Sequence, residues 1–133
     1  MTMATNMTGD LGKLVMRLTL GILVGLHGLH KLIYGIDPIL GLVRGAGMPG
    51  FVAYGVYLGE VLGPLMLIFG FYARIGAALI VINMLFAFGL VHMHSIAMLN
   101  ANGGWEVELQ GMYLFTAVAL LLTGPGRLSL NQR

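Results

Sequence analysis

Four long apolar runs alternate with short segments that carry most of the charged residues. The runs cover residues 14–34, 51–71, 75–91 and 107–122. A helix needs about 20 mostly apolar residues to cross the hydrocarbon core of a bilayer. The pattern therefore predicts an all-α membrane protein, in which residues 1–133 form one domain, a four-helix transmembrane bundle.

The segments between the runs predict how the helices connect. The turn at 72–74 is so short that the second and third helices must form an antiparallel hairpin. The segment 35–50 is the longest, is rich in Gly and Pro, and is apolar over 38–43. We expect it to be a connector, or else a lid over the bundle. Pro64 is expected to kink the second helix.

The composition agrees with a membrane protein and excludes several kinds of chemistry. Hydrophobic residues make up 58% of the chain and charged residues 9%, whereas soluble domains have about 25% charged residues. Cysteine is absent, which excludes disulfides, thiolate metal sites and cysteine nucleophiles. The net charge is +2, but the basic residues are scattered singly, so no nucleic-acid partner is predicted.

Lysine and arginine are unevenly distributed over the two sides of this topology. Four spans place both chain ends and the 72–74 turn on one side, which holds five of the seven basic residues; Lys31 and Arg44 lie on the other. Because cytoplasmic flanks carry the excess of Lys and Arg, both termini are predicted to be cytoplasmic. No small-x-small cleavage motif follows the first run, so we expect that run to be retained.

Ionisable residues inside the runs are the candidates for function, because they are costly in a membrane. Glu60 lies about 14 Å below the outer boundary, near the midplane, at 1.5 Å per residue. His27 and His30 share a face of the first helix, since residues three apart are neighbours. His92 closes the third run and Glu106 opens the fourth. This placement predicts an outward-facing polar pocket with Glu60 at its floor.

Glu60 and His27 are the two residues expected to act most directly. A carboxyl group at the midplane must be protonated or paired, and His27 or Tyr57 is the expected partner of Glu60. A structural alternative stays open, in which Tyr57 or backbone carbonyls satisfy the two histidines of the first helix. Glu106 would then be an interfacial acid at a helix N-terminus, together with Glu108.

No metal or haem is predicted. Di-iron bundles use Glu-x-x-His pairs on two helices, and the sequence has no such pair. The segment His92-Met93-His94, with Met48 and Met98, has ligand types that suit copper. Methionine is nevertheless common in apolar bundles, so this signal is weak. No motif supports haem ligation.

The order and spacing of several short motifs resemble the DoxX family of small four-helix membrane proteins. The resemblance covers nearly the whole chain and rests on Arg17, His27-Gly28, Lys31, Gly47-Met48-Pro49, Glu60, Gly63, Gly70, Arg74, Met84, His92, Gly103-Gly104-Trp105-Glu106, Gly124-Pro125-Gly126-Arg127 and Ser129-Leu130. The family is named after a subunit of an archaeal thiosulfate–quinone oxidoreductase. The resemblance therefore implies a bacterial or archaeal cytoplasmic-membrane protein with a quinone-linked redox role.

Three functions follow as hypotheses. In the first, the chain is a subunit of a quinone-linked complex, in which Glu60 and His27 exchange protons. The residues expected to line its quinone pocket are His27, His30, Tyr57, Glu60, His92 and Glu106. In the second, the chain is an accessory or assembly subunit that stabilises a larger complex. In the third, it transports a small solute, which would require an oligomer. The expected partners are membrane lipid and other subunits or further copies of the chain.

Overall fold

The structure, a computed structural model, describes the backbone of residues 3–133 and the side chains of residues 7–90 and 93–133. The described chain is helical, as predicted, with five α-helices: α1 (Met3–Tyr34), α2 (Asp37–Gly45), α3 (Gly63–Phe69), α4 (Ala73–Ala87) and α5 (Glu108–Thr123). Three segments are long and apolar enough to cross a membrane: Met7–Tyr34, Gly50–Phe69 and Ala73–Leu90. α5 is apolar but shorter, with 16 residues, or about 24 Å.

The second span is not one regular helix. It begins as a 3₁₀ helix (Gly50–Gly55), passes through a π-helical turn (Leu58–Leu62) and continues as α3. Pro64 has no N–H and therefore cannot donate to the carbonyl of Glu60, four residues earlier. The sequence predicts a kink at Pro64. The structure has a π turn just before this proline, a feature often found at functional sites.

The second and third spans form the predicted antiparallel hairpin. Gly70 and Tyr72 adopt positive φ angles of 67° and 47° between α3 and α4, which reverses the chain within a few residues. The two helices approach closely, since a Cβ atom at Gly63 would lie 2.9 Å from the carbonyl oxygen of Gly76. Small residues at such crossings allow the backbone packing that drives helix association in lipid.

The main core lies between α1, α3, α4 and α5. It contains ten buried residues, with apolar side chains from all four helices: Leu20, Val24, Leu67, Ala73, Ala77, Ile80, Met84, Tyr113, Ala117 and Leu120. Much of the remaining apolar surface stays exposed on the outside of the bundle. Such an apolar exterior is expected where lipid, and not water, surrounds the helices.

The long segment after α1 contains a helix that the sequence analysis did not predict. α2 carries Pro38 in its first turn, where a missing N–H costs nothing. Its buried Val43 packs with Ile36 and Ala53 in a second, smaller core. The segment is therefore folded against the start of the second span.

The N-terminal part of α1 and the C-terminal tail meet at one end of the bundle, which we call the Arg17 end. Asp10 accepts a hydrogen bond of 2.6 Å from Arg127. Arg17 donates to the carbonyls of Pro125 and Leu128. The opposite end, where α1 finishes and α5 begins, is called the Glu60 end. The N-terminal part of α1 and the C-terminal tail thus lie on one side of the bundle. The assignment of this side to the cytoplasm stays a prediction from charge.

Candidate functional site

A buried carboxylate joins three helices at the Glu60 end. The Glu60 side chain is 8% exposed and forms an ion pair with the ammonium group of Lys31 from α1. Its second oxygen, Oε2, accepts a hydrogen bond of 2.8 Å from the amide of Asn83 on α4. We call these three side chains the Lys31–Glu60–Asn83 network. Burial strengthens such a pair but also imposes a desolvation cost, which the second hydrogen bond helps to offset.

The partners of Glu60 differ from those expected. Sequence analysis named His27 or Tyr57, whereas the structure pairs the carboxylate with Lys31 and Asn83. Tyr57 instead donates its hydroxyl to the backbone carbonyl of Lys31, at 3.3 Å. The expectation assumed a regular α-helix through Tyr57 and Glu60. In the structure, Glu60 lies within a π-helical turn (Leu58–Leu62), and Tyr57 lies just before it.

Two signals in the sequence could have identified the missing members of the network. Lys31 follows His27 by four residues, so both lie on the same face of α1. The sequence analysis uses Lys31 as a charge of the outer side and does not pair it with Glu60. Asn83 is a polar residue within the third apolar run, and buried polar groups require hydrogen-bond partners. No spacing rule relates Asn83 to Glu60, because they lie on different helices.

A large apolar cavity adjoins the network. It has a volume of about 430 Å³, within the range of about 300–1,000 Å³ typical of small-molecule sites. The second span and α4 form most of its wall, and α2 closes one side. Its apolar lining includes Ile39, Leu42, Val43, Val52, Val56, Leu58, Leu79, Ile82, Phe86 and Leu90. Among the described lining residues, the polar side chains are those of the Lys31–Glu60–Asn83 network.

A second, smaller cavity lies on the other side of the ion pair. Its volume is about 150 Å³, and Lys31 and Glu60 line it as well. The remaining polar lining comes from His27 on α1 and from Gln110 and Tyr113 on α5. The rings of His27 and Tyr113 meet nearly edge to face, with their centroids 5.9 Å apart. The ion pair therefore lies between a large apolar cavity and a smaller cavity with a higher share of polar side chains.

Glycine allows the helices to approach the network closely. A Cβ atom at Gly28 would overlap with the carbonyl oxygen of Glu60. A Cβ atom at Gly59 would likewise overlap with the side chain of Asn83. These two glycines thus determine how closely α1 and α4 approach the π turn. Gly55, in contrast, has no such neighbour within 4 Å.

The other predicted site residues whose side chains are described line neither cavity. Tyr57 nevertheless reaches the network through the carbonyl of Lys31. His30 is exposed, and its ring lies 4.6 Å from that of Tyr34. Glu106 is exposed in the segment before α5. The side chain of His92 lies outside the described residues. Within the described side chains, no group of three or more His, Cys, Asp or Glu residues could hold a metal ion.

Comparison with known proteins relates most of this site to one family. The DoxX family model matches residues 12–93, a range that contains Lys31, Glu60 and Asn83. The chain is 29% identical over 126 residues to a Bacillus subtilis (strain 168) protein named "Putative oxidoreductase CatD". The aligned region covers 95% of this chain and 89% of that protein. No solved structure shows significant similarity to the chain.

Proposed function

Since the chain belongs to the DoxX family, we propose that it is a membrane-embedded subunit of a quinone-linked oxidoreductase complex. In this proposal a quinone binds in the large cavity, with its polar headgroup at the Lys31–Glu60–Asn83 network. The name of the Bacillus subtilis relative supports a redox role. The apolar exterior of the helices supports a location in the membrane, where quinones dissolve.

The observation that carries the proposal is the shape and polarity of the large cavity. Apolar side chains line most of it, and a few polar groups converge at one place. Ligand sites commonly combine an apolar wall with a small number of placed polar groups that determine orientation. A quinone has the same division, because a ring with two carbonyl oxygens is joined to an apolar tail.

The network supplies the groups that a quinone headgroup needs. A bound quinone provides an electron acceptor, whose full reduction consumes two electrons and two protons. The ammonium group of Lys31 can donate a hydrogen bond to a carbonyl oxygen, and so can the amide of Asn83. Glu60 can hold a proton or release it. We assign the supply of electrons to a redox-active partner subunit, since the sequence has no cofactor motif.

The orientation of the site in the membrane is also part of the proposal. Five of the seven basic residues belong to the Arg17 end, and the cytoplasmic side attracts such an excess. The Glu60 end then faces outward, away from the cytoplasm. In a bacterial or archaeal cytoplasmic membrane, the site would exchange quinone with the lipid and protons with the external side.

Photolabelling with an azido-quinone tests the proposal directly. The purified protein in lipid nanodiscs is illuminated with the probe, and labelled peptides are mapped by mass spectrometry. We expect labels on residues of the large cavity, with competition by unlabelled quinone. Glu60→Gln should weaken quinone binding about tenfold, because it removes the carboxylate whose charged hydrogen bonds, each worth about 1.5–3 kcal/mol, hold the donors Lys31 and Asn83 in place.

Glu106→Gln is the matched control, because Glu106 is an exposed glutamate that lines neither cavity. It should leave labelling unchanged. Equal labelling in the wild type, Glu60→Gln and Glu106→Gln would contradict the proposed site. Labels spread evenly over the lipid-facing surface would do the same, since they would indicate partitioning of the probe into lipid.

A structural role is the second candidate, and one observation favours it. The network links α1, the second span and α4 through bonds within the chain itself. Within the described residues, no buried side-chain nitrogen or oxygen lacks a hydrogen-bond partner. In this alternative the chain is an accessory subunit, and the network only holds its helices together. Specific photolabelling of the large cavity distinguishes the two candidates.

A further inference from the structure

The ion pair of Lys31 and Glu60 is shared by two cavities of different polarity. Both residues line the large cavity and also the small one. A group that exchanges protons with a quinone must also exchange them with water, or the site would act only once. The proposed function uses only the large cavity. The proposed function therefore gives the small cavity no role.

The small cavity carries polar groups from three of the elements that line it. α1 contributes His27 and Lys31, the second span contributes Glu60, and α5 contributes Gln110 and Tyr113. α4 contributes Met84 and Ala87, and the remaining lining is apolar. The titratable groups facing His27 within the cavity are thus Lys31, Glu60 and Tyr113. Each has a polar atom that can bind water.

The two cavities are expected to differ in hydration. Water enters a protein cavity that is roomy and offers two to four polar partners, whereas apolar cavities of similar size stay dry. At about 150 Å³ the small cavity has room for several waters, and five polar side chains line it. The large cavity has three polar side chains, all at one place on a wall that is otherwise apolar.

We propose that the small cavity is a hydrated proton-exchange compartment, which connects the Lys31–Glu60 pair to the aqueous phase through His27. This inference rests on the proposed function for the identity of the reaction. It adds a route for protons that is separate from the route for quinone. His27 lines this cavity, and histidine is the side chain whose unperturbed charge change lies nearest to neutral pH.

Protons balance along this route. Each proton that the Lys31–Glu60 pair delivers to a quinone oxygen is replaced by one from His27, through water in the small cavity. His27 is then reprotonated from the aqueous phase. The route runs in reverse when quinol is oxidised. Two electrons pass between the quinone and the redox-active partner subunit for every two protons moved.

Cysteine accessibility tests the hydration of the cavity without any turnover. The chain has no native cysteine, so single-cysteine variants report on one position each. Met84→Cys and Val24→Cys place a thiol on the wall of the small cavity. Leu85→Cys and Leu23→Cys are the matched controls, at nearly the same depth but exposed on the outside of the helices. Leu79→Cys reports on the large cavity.

The probe is a charged, membrane-impermeant methanethiosulfonate applied to the protein in nanodiscs. It reacts with the thiolate, which forms readily only in water. We expect at least one small-cavity cysteine to react about tenfold faster than its control and than Leu79→Cys. Equal rates within both pairs would overturn the proposed hydration. The reaction rates of these cysteines do not depend on quinone binding. A failure of the hydration proposal can therefore be distinguished from a failure of the azido-quinone labelling.

His27→Ala tests the proton carrier, measured in native membranes as quinone-dependent electron transfer. We expect the rate of electron transfer to fall about tenfold or more, as rates do when an enzyme loses a general acid–base group. Added imidazole should restore part of it, and azido-quinone labelling should stay normal. A merely structural histidine would not be rescued by imidazole. An unchanged rate, or a loss without rescue, would contradict the role of His27.

Discussion

The two ends of the bundle each bury a charged side chain, but they satisfy it in different ways. At one end Arg17 is 1% exposed. Its guanidinium donates to the backbone carbonyls of Leu67, Pro125 and Leu128, at 2.8–3.0 Å. At the other end Glu60 is bound by the side chains of Lys31 and Asn83.

The difference separates a structural charge from one that can take part in chemistry. Arginine stays protonated in proteins, and Arg17 is held by the carbonyls of the second span and the C-terminal tail. It lines neither of the two cavities described above. Glu60 can gain or lose a proton, its partners are side chains, and both cavities reach it. Burial of a charge in a span therefore does not by itself indicate an active site.

Arg17→Ala should have the largest effect on stability. The substitution removes three hydrogen bonds from a charged donor, each worth about 1.5–3 kcal/mol, and this loss is partly offset because no cation remains to be buried. We expect the free energy of unfolding in detergent micelles to fall by about 4 kcal/mol. Quinone labelling of the remaining folded protein should stay normal.

Arg74→Ala is the control for Arg17→Ala, because Arg74 is an exposed arginine near the same end. It should change the free energy of unfolding by less than about 0.5 kcal/mol. If Arg17→Ala abolished quinone labelling while leaving stability intact, the assignment of Arg17 to structure would be wrong.

Lys31→Met should have the next largest effect and should affect both stability and function. It leaves the Glu60 carboxylate buried without its cation, which typically costs about 3–5 kcal/mol. We expect a loss of about 3 kcal/mol in the free energy of unfolding, at the lower end of that range. The reason is that 21% of the Lys31 side chain is exposed. Quinone labelling should fall as well.

The double variant Lys31→Met/Glu60→Met sharpens this prediction. Replacement of a buried pair by apolar side chains of similar size is often neutral for stability. The double variant should therefore recover most of the stability lost in Lys31→Met but should not recover quinone labelling. Recovery of both properties would favour a purely structural network.

Gly28→Ala should have the smallest effect of the three. Its new Cβ atom would overlap with the carbonyl oxygen of Glu60, so α1 and the π turn must move apart. We expect a loss of about 2 kcal/mol in stability and weaker quinone labelling, because Lys31 moves with α1. Gly25→Ala is the control, since a Cβ there lies 3.5 Å from Pro64, an ordinary contact. Equal effects in both variants would contradict the specific role of Gly28.

Some parts of the fold could be read from local sequence, and others could not. The apolar run at 14–34 forms most of α1, which begins earlier, at Met3. The run at 75–91 forms α4 and the π-helical turn that follows it. Both spans could be predicted because run length and hydropathy are properties of contiguous residues. α2 was missed, since its Gly and Pro residues are typical of a loop. Its helix is stabilised by burial of Val43 against Ile36 and Ala53, a contact that a local pattern does not contain.

The candidate site was predictable in part. Glu60 and His27 could be predicted as candidates because ionisable groups inside apolar runs are rare. In the structure both residues line the small cavity. Their roles stay predictions. His30 satisfied the same criterion, and Glu106 was chosen because it precedes the fourth run, yet both lie outside the two cavities. The criterion measures depth along a helix and contains no information about the direction in which a side chain points.

The sequence by itself determined the helical class, the hairpin of the second and third spans and the presence of a buried carboxylate, since each depends on the spacing of residues along the chain. Only the tertiary structure decided that Lys31 and Asn83 bind Glu60, and that one ion pair lies between two cavities. The physical reason is that these three residues lie far apart in the sequence, on three different helical segments. They meet only where close packing at Gly28 and Gly59 brings those segments together.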